Sequence, residues 1–323
     1  MSTFNPGGGI YTAPPNVIAE FDHPELETIW SPTEMVYSRD SEPLSRAVDI
    51  GNVALNMTEL WFHLSRRCDA PPGFCKHCMN GEPQPIDMQK SDVDQFFARN
   101  HISNVTNILF TGGNPELSDL MPYIAQKVID YGVRFDFAHA IVPGTRYNQS
   151  FVDGLNILRG ASQWEHPDES VFIGISKDKF HAPTDPDVEQ KYREAGILIK
   201  DAPGDKITET DLYPLGRSCK LLMEYYDFTQ EEMAKFRRDY LKERIAAIAP
   251  IISMQTSNGI VLRVDDVVLE ANGSMSLLNT GEHHERDRVA LCDYREESIV
   301  SALYRQGLVK ENQFISLFRK CSS

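Results

Sequence analysis

The segment TELWFHLSRRCDAPPGFCKHC, residues 58–78, runs from a strand pattern directly into a loop that carries three cysteines. Apolar and more polar side chains alternate over residues 58–65, which is typical of a half-buried β-strand. Cys68, Cys75 and Cys78 then follow within a loop rich in proline and glycine. The three thiols are therefore expected just past the end of a strand.

Three cysteine thiolates can fill three positions of a metal site and leave a fourth position open. An open position is what distinguishes a reacting metal centre from a structural one, so the loop is interpreted as a cluster loop. Structural zinc is the alternative, with His63 or His77 as its fourth ligand. The remaining cysteines, Cys219, Cys292 and Cys321, have no nearby cysteine and indicate ordinary thiols rather than a second cluster.

The composition indicates a globular protein whose main partner is not nucleic acid. The chain has 323 residues, 41% hydrophobic residues and a formal net charge of −15, and no Lys/Arg cluster that would bind a phosphate backbone stands out. No basic segment followed by an apolar core begins the chain, and no apolar run is long enough to span a bilayer. A cytoplasmic location without membrane contact is the prediction. Six cysteines are too few and too unevenly spread for a disulfide scaffold.

Strand and helix patterns alternate along the middle of the chain. Strands are predicted at 58–65, 105–110, 134–142, 171–176 and 197–199, with a sixth before Tyr213. Helices are predicted at about 91–100 with Ser91 as N-cap, and at 117–131, 151–159 and 187–195. This alternation predicts an α/β fold with parallel strands and right-handed crossovers, which could form an open sheet or a full or partial barrel. The fold that we predict is a partial (β/α)6-type TIM-like barrel.

Three polar or glycine-rich segments follow strands and are expected at one edge of this sheet. They are the cysteine loop, the turn Gly112-Gly113-Asn114-Pro115-Glu116, and Ser176-Lys177-Asp178. Ligands collect at the carboxyl ends of parallel strands, so the three segments are predicted to face one cavity.

Three regions are predicted. Residues 1–50 read as an extended N-terminal arm, 51–225 as the barrel core, and 226–323 as a small C-terminal α+β extension. The extension contains a long helix at about 229–249 and a helical segment that starts near Ile299. It also contains a hairpin at 260–278 that turns at Asn272-Gly273, a strong signal for a type I′ turn.

These motifs, over roughly residues 55–217, resemble the radical S-adenosylmethionine superfamily, in which a three-cysteine loop follows the first strand and a Gly-Gly motif follows the second. The usual family loop has three and then two residues between its cysteines, whereas this loop has six and two. Asn114 stands where the family often has Glu in a Gly-Gly-Glu motif.

The resemblance implies a set of site residues. Cys68, Cys75 and Cys78 would bind a 4Fe-4S cluster, and the other implied positions would contact S-adenosyl-L-methionine. His77 precedes the third cysteine, where a side chain lies against the adenine, and the backbone of Gly112 and Gly113 would hold the methionine amino group. The full set of implied cofactor-binding positions is His77, Gly112, Gly113, Asn114, Ser176, Asp178 and Arg217.

The resemblance also implies the activity: reductive cleavage of S-adenosylmethionine to a 5′-deoxyadenosyl radical that abstracts hydrogen from a small molecule or a peptide or protein side chain. The electron donor would be a flavodoxin or a ferredoxin. Two alternatives from other classes remain at this stage. One is a zinc-stabilised binding module, and the other is an electron-transfer iron-sulfur protein, which would need a fourth ligand that the loop lacks.

Overall fold

The computed structural model describes residues 53–69, 75, 78, 83–177, 180–181, 184–201, 212, 217–247, 251–255, 259–277 and 291–305. The strands are β1 (Val53–Ser65), β2 (Ile102–Gly112), β3 (Arg134–Val142), β4 (Val171–Ile175), β5 (Leu198–Asp201), β6 (Ile251–Gln255), β7 (Gly259–Leu269), β8 (Ser274–Ser276) and β9 (Cys292–Asp293). The helices are α1 (Lys90–Arg99), α2 (Met121–Asp130), α3 (Gln149–Arg159), α4 (Pro167–Ser170), α5 (Pro186–Glu194), α6 (Ser218–Tyr226), α7 (Gln230–Ala247) and α8 (Ile299–Arg305).

The strands form one mixed sheet in the order β5-β4-β3-β2-β1-β7-β8-β9, with β6 also paired to β7. All pairs from β5 to β1 are parallel, and β7 runs parallel to β1 on its other side. In the part of the chain that the structure describes, this sheet does not close on itself. The predicted α/β class with an unclosed, parallel-stranded sheet is confirmed.

The alternation of side chains along β1 assigns its two faces. Leu60, Phe62 and Leu64 are completely buried and belong to the main core, together with Phe96 of α1 and Met121 of α2. Burying one large apolar side chain contributes about 1.5–3 kcal/mol, so this layer between sheet and helices is the main source of stability. The opposite face of the sheet carries more polar side chains, and the site is built at its carboxyl edge.

Most predicted elements lie where the sequence placed them, with β3 matching to the residue. The predicted strands at 58–65 and 105–110 are longer in the structure. The predicted helix at 117–131 is wrong at its start, because Pro115–Leu117 forms a 3₁₀ turn and α2 begins only at Met121. The N-cap of helix α1 lies two residues earlier than predicted, at Gln89 rather than Ser91, and the Asp92 carboxylate accepts a hydrogen bond from the Gln89 N–H at 2.8 Å.

The hairpin is present, but its turn is not type I′. The Glu270 N–H donates to the Ser274 carbonyl at 2.9 Å, which leaves three residues in the loop. A type I′ turn needs positive φ at both central residues, whereas here Gly273 has φ +95° and Asn272 is not among the positive-φ residues. The Asn272 side chain instead accepts from the Ser274 N–H at 3.0 Å and fixes the turn as an Asx-type loop.

The division at residues 50 and 225 stays a prediction, and the arm at 1–50 and the sixth strand before Tyr213 lie outside the described residues. The C-terminal strands nevertheless share the sheet and the main core with β1 through β5. A second, smaller core joins α6 to α7 and contains Cys219, Leu222 and Phe236.

Candidate functional site

The carboxyl ends of the parallel strands lie side by side at one edge of the sheet. Ser65 of β1 is in register with Gly112 of β2, and Val142 of β3 with Ile175 of β4. The Ser176 N–H then donates to the Val142 carbonyl at 3.1 Å. The cysteine loop, the glycine turn and Ser176 therefore begin at the same edge, which is the juxtaposition that the sequence predicted.

Two backbone hydrogen bonds define the described part of the cysteine loop. The Cys78 N–H donates to the Cys75 carbonyl at 2.9 Å, which closes a tight turn, and Cys75 has φ +52°. Cys75 is 8% exposed, whereas Cys68 and Cys78 are half-buried. The Arg217 N–H donates to the Cys78 carbonyl at 2.9 Å and brings the start of α6 against the loop. Arg217, distant in sequence, is thus placed beside the third cysteine.

The glycine turn packs directly against the segment that leads to Cys68. The Gly113 N–H donates to the Ser65 carbonyl and the Asn114 N–H to the Arg67 carbonyl, both at 2.7 Å. Gly112 has φ +130°, and a Cβ on it would lie 2.5 Å from the Ser65 carbonyl oxygen. A Cβ on Gly113 would collide with the Arg67 carbonyl oxygen. Only glycine permits this close approach of the two strand ends.

Asn114 is completely buried, and its side chain connects three strand ends. Its Nδ2 donates to Asp69 Oδ1 at 2.7 Å and to Thr145 Oγ1 at 3.1 Å, and its Oδ1 accepts from the Glu116 N–H at 2.9 Å. Both amide protons are therefore engaged within the protein. An additional ligand contact to this side chain would have to use the second lone pair of Oδ1.

Glu116, from the same turn, is a buried carboxyl group that the sequence reading did not single out. Its Oε1 accepts a 2.6 Å hydrogen bond from the Tyr192 hydroxyl, and its Oε2 has no hydrogen-bond partner among the described residues. Burial raises the pKa of Glu116 to about 7, although the Tyr192 hydrogen bond opposes this shift. The signal in the sequence was the glutamate that ends the Gly-Gly-Asn-Pro-Glu turn.

Of the other predicted site residues, the structure describes Ser176 but not His77 or Asp178. Ser176 is 8% exposed beside the end of β3. Its neighbour Lys177 forms an ion pair with Glu189 of α5 at 2.5 Å. His77 and Asp178 lie outside the described residues.

The end of β7 adds a buried polar group to this edge. Glu270 is 1% exposed, and its Oε1 lies 3.4 Å from Nδ1 of His63. Its Oε2 lies 3.9 Å from Nε of Arg66, which is 4% exposed. His63, the alternative zinc ligand, thus lies against a carboxylate that follows the neighbouring strand. The pairing of β7 with β1 that creates this contact could not be read from local pattern.

Deeper on the same face, a row of side chains crosses the sheet. The Trp61 Nε1 donates to Glu59 at 2.7 Å, Asn107 Nδ2 donates to Glu59 at 3.2 Å, and His139 Nδ1 lies 2.9 Å from Asn107 Oδ1. The His139 ring stacks on Phe172 at 4.7 Å. Burial, with a smaller contribution from the Lys200 charge, lowers the pKa of His139 to about 4. A neutral His139 that donates from Nδ1 presents Nε2 as an acceptor.

We expect His139 to remain neutral down to about pH 4. Because its folded pKa lies below the unfolded value near 6.5, the unfolded chain binds the extra proton between these two values. The contribution of His139 to the free energy of unfolding should therefore fall as pH drops from about 6.5 to 4, whereas Glu116, whose folded pKa is raised to about 7, contributes in the opposite direction. The test is urea unfolding of the unmodified chain and of His139→Gln at pH 7 and pH 5, together with an NMR titration of the histidine ring protons. Going from pH 7 to pH 5, the free energy of unfolding should change less favourably in the unmodified chain than in His139→Gln, and an equal change in both would contradict the assignment.

The donor chemistry of the loop fits an iron–sulfur cluster, since Cys68, Cys75 and Cys78 are thiols rather than disulfide partners. In the residues the structure describes, no three His, Cys, Asp or Glu side chains are grouped closely enough to hold a metal ion. Residues 70–74 and 76–77 of the loop lie outside that set. No described helix is long and apolar enough to cross a membrane.

No protein-family model and no curated protein matches this chain. Solved structures similar to it include three radical S-adenosylmethionine enzymes. They are anSMEcpe with bound AdoMet (12% identity, 77% of each chain, TM-score 0.43), BtrN in complex with AdoMet and 2-DOIA (14%, 82% of this chain and 86% of that chain, 0.38), and Streptococcus suis SuiB bound to precursor peptide SuiA (12%, 92% and 73%, 0.41). At these TM-scores the likeness carries no functional argument, so the case for function rests on the residues of this chain.

Proposed function

We propose that this protein is a radical S-adenosylmethionine enzyme. The observation that carries the proposal is the direct packing of the glycine turn on the cysteine loop. The Gly113 and Asn114 N–H groups bond the backbone at Ser65 and Arg67, immediately before Cys68. This edge is also where the parallel strands end and where ligands bind in such sheets.

In this proposal Cys68, Cys75 and Cys78 bind three irons of a 4Fe-4S cluster, and the fourth iron is left for S-adenosylmethionine. When bound, the cluster supplies the low-potential electron that cleaves a carbon–sulfur bond of S-adenosylmethionine. This cleavage would supply a 5′-deoxyadenosyl radical able to take a hydrogen atom from the substrate. The electron comes from a flavodoxin or ferredoxin, or from dithionite in vitro.

The remaining residues of the site bind and orient the ligand. The backbone at Gly112 and Gly113 borders the cluster loop, and Arg217 is held beside Cys78 by its N–H. Ser176 begins the segment at the end of β4, and with Asp178, His77 and Asn114 it completes the proposed set of cofactor contacts. The sheet face below this edge, with its row from Glu59 to His139, is the surface on which a small molecule or a peptide side chain would rest. The cytoplasm remains the predicted location.

The test is anaerobic purification with iron–sulfur reconstitution, followed by dithionite, S-adenosylmethionine and chromatographic detection of 5′-deoxyadenosine. We expect a brown protein that forms 5′-deoxyadenosine only when the three loop cysteines are intact. A colourless protein that binds zinc and leaves S-adenosylmethionine whole would instead support a zinc-stabilised module. A coloured protein that transfers electrons without cleaving S-adenosylmethionine would support an electron-transfer role.

A further inference from the structure

Asp69, which directly follows Cys68, is held by side chains from the ends of two other strands. Its Oδ1 accepts from Asn114 Nδ2 at 2.7 Å and from the Thr145 hydroxyl at 3.1 Å. The Thr145 oxygen in turn accepts from Asn114 Nδ2 at 3.1 Å, so the three side chains form a closed triangle. The carboxylate is fixed in position at the same edge as the cysteine loop.

The charge of Asp69 has no counterion among the residues that the structure describes. Both of its hydrogen-bond donors are neutral, and the side chain is exposed. The nearby cation Arg67 points to another carboxylate, with its Nη2 2.9 Å from Asp87. Two other carboxyl groups of this edge are buried, Glu116 against Tyr192 and Glu270 against His63. Asp69 is therefore an oriented, exposed anionic group that a cationic ligand would meet directly after Cys68.

The third position of the Gly-Gly-Asn motif is neutral in this chain. Asn114 cannot neutralise an ammonium group, because its amide carries no charge, and one lone pair of its acceptor oxygen is already used by the Glu116 N–H. Its Nδ2 places the Asp69 carboxylate 2.7 Å away. A carboxylate supplied from the preceding loop thus lies immediately next to that position.

We propose that Asp69 binds the ammonium group of S-adenosylmethionine, with Asn114 and Thr145 as positioning residues. This inference rests on the proposed function. The methionine part of the ligand carries an ammonium group beside the sulfonium, and a charge-assisted hydrogen bond to a held carboxylate suits it. The carboxylate adjoins the first cysteine, as expected if the amino group binds close to the cluster.

The experiment measures the dissociation constant of S-adenosylmethionine for the full-length reconstituted chain by anaerobic equilibrium dialysis, with iron and sulfide assayed in parallel. Asp69→Asn should keep its iron and bind S-adenosylmethionine roughly ten- to a hundredfold more weakly. The matched control is Asp119→Asn, which removes another exposed carboxylate of the same edge that accepts from Asn148 at 3.1 Å. Its dissociation constant should equal that of the unmodified chain.

The decisive variant combines Asp69→Asn with Asn114→Asp. This exchange keeps the amide-to-carboxylate hydrogen bond and the total charge, and it moves the anion from the exposed position 69 to the completely buried position 114. We expect the affinity to stay low with the iron retained, because the ligand can meet a carboxylate only at the exposed position. Wild-type affinity in Asp69→Asn, or in the exchanged variant, would overturn the assignment. An unmodified chain that carries a cluster and binds no S-adenosylmethionine would instead defeat the proposed function.

Discussion

Replacing Cys68, Cys75 or Cys78 by alanine is expected to remove the cluster and abolish formation of 5′-deoxyadenosine. Three thiolates are the minimum anchor for a 4Fe-4S cluster that keeps one iron open, so two cannot retain it. The loss should be nearly complete for each variant. Iron and sulfide per chain, the visible absorption spectrum and the 5′-deoxyadenosine assay measure it.

Cys292→Ala and Cys219→Ala are the matched controls. Burial raises the pKa of the Cys292 thiol to about 12, so it is not a thiolate at neutral pH, and Cys219 is 1% exposed in the small core of α6 and α7. Iron content should be unchanged in both. A full iron load in Cys68→Ala would reject the six-residue first gap as part of the site, and a loss of about half the iron in Cys219→Ala would indicate a second cluster.

Gly113→Ala is expected to destabilise the protein by about 2–3 kcal/mol and to lower its iron content. The new Cβ collides with the Arg67 carbonyl, which is backbone and cannot rotate away, so the strand end before Cys68 must move. From the sequence alone, a side chain at this position would be expected to weaken binding of S-adenosylmethionine and leave the cluster intact. The structure predicts that both are affected. Urea unfolding and an iron assay measure the change.

Gly160→Ala provides the comparison for this substitution. Gly160 ends α3, and a Cβ there would lie 3.6 Å from the nearest atom, the Ile157 carbonyl oxygen, which is an ordinary contact. Its stability and iron content should match those of the unmodified chain within about 0.5 kcal/mol. An equally stable and fully loaded Gly113→Ala variant would show that the glycine turn does not pack on the loop as described.

The parallel core could be predicted because its signals are local. Alternating strands, helix stops at Gly132 and Gly196, and apolar runs each specify one element without reference to distant residues. Strand β1 was predicted too short, because its two-residue alternation is interrupted at residues 58 and 59. Val53, Leu55 and Met57 before this break are buried as well. The hairpin turn was assigned the wrong type because Asn-Gly also fits a three-residue loop, and only the pairing of the flanking strands distinguishes the two.

The motifs of the candidate site could be proposed from the sequence, whereas the contacts between them could not. The cysteine loop and the glycine turn stand out by their residue types, and Arg217 was proposed from the family resemblance. The bonds from Asn114 to Asp69 and Thr145 depend on which strands are neighbours and on their register. The row from Glu59 to His139 likewise spans three strands, so no single segment of sequence reports it.

The parallel pairing of β7 with β1 has a consequence for biosynthesis. Val53 pairs with Ile260, so about 200 residues separate the partners, and such non-local contacts form late. During translation, β1 is an edge strand until β7 has left the ribosome, and Glu270 cannot yet pack on His63. Insertion of the proposed 4Fe-4S cluster into the cysteine loop is therefore expected only after translation is complete. In a nascent chain stalled before residue 259, the loop with all three cysteines would follow a strand, β1, that is not yet paired with β7.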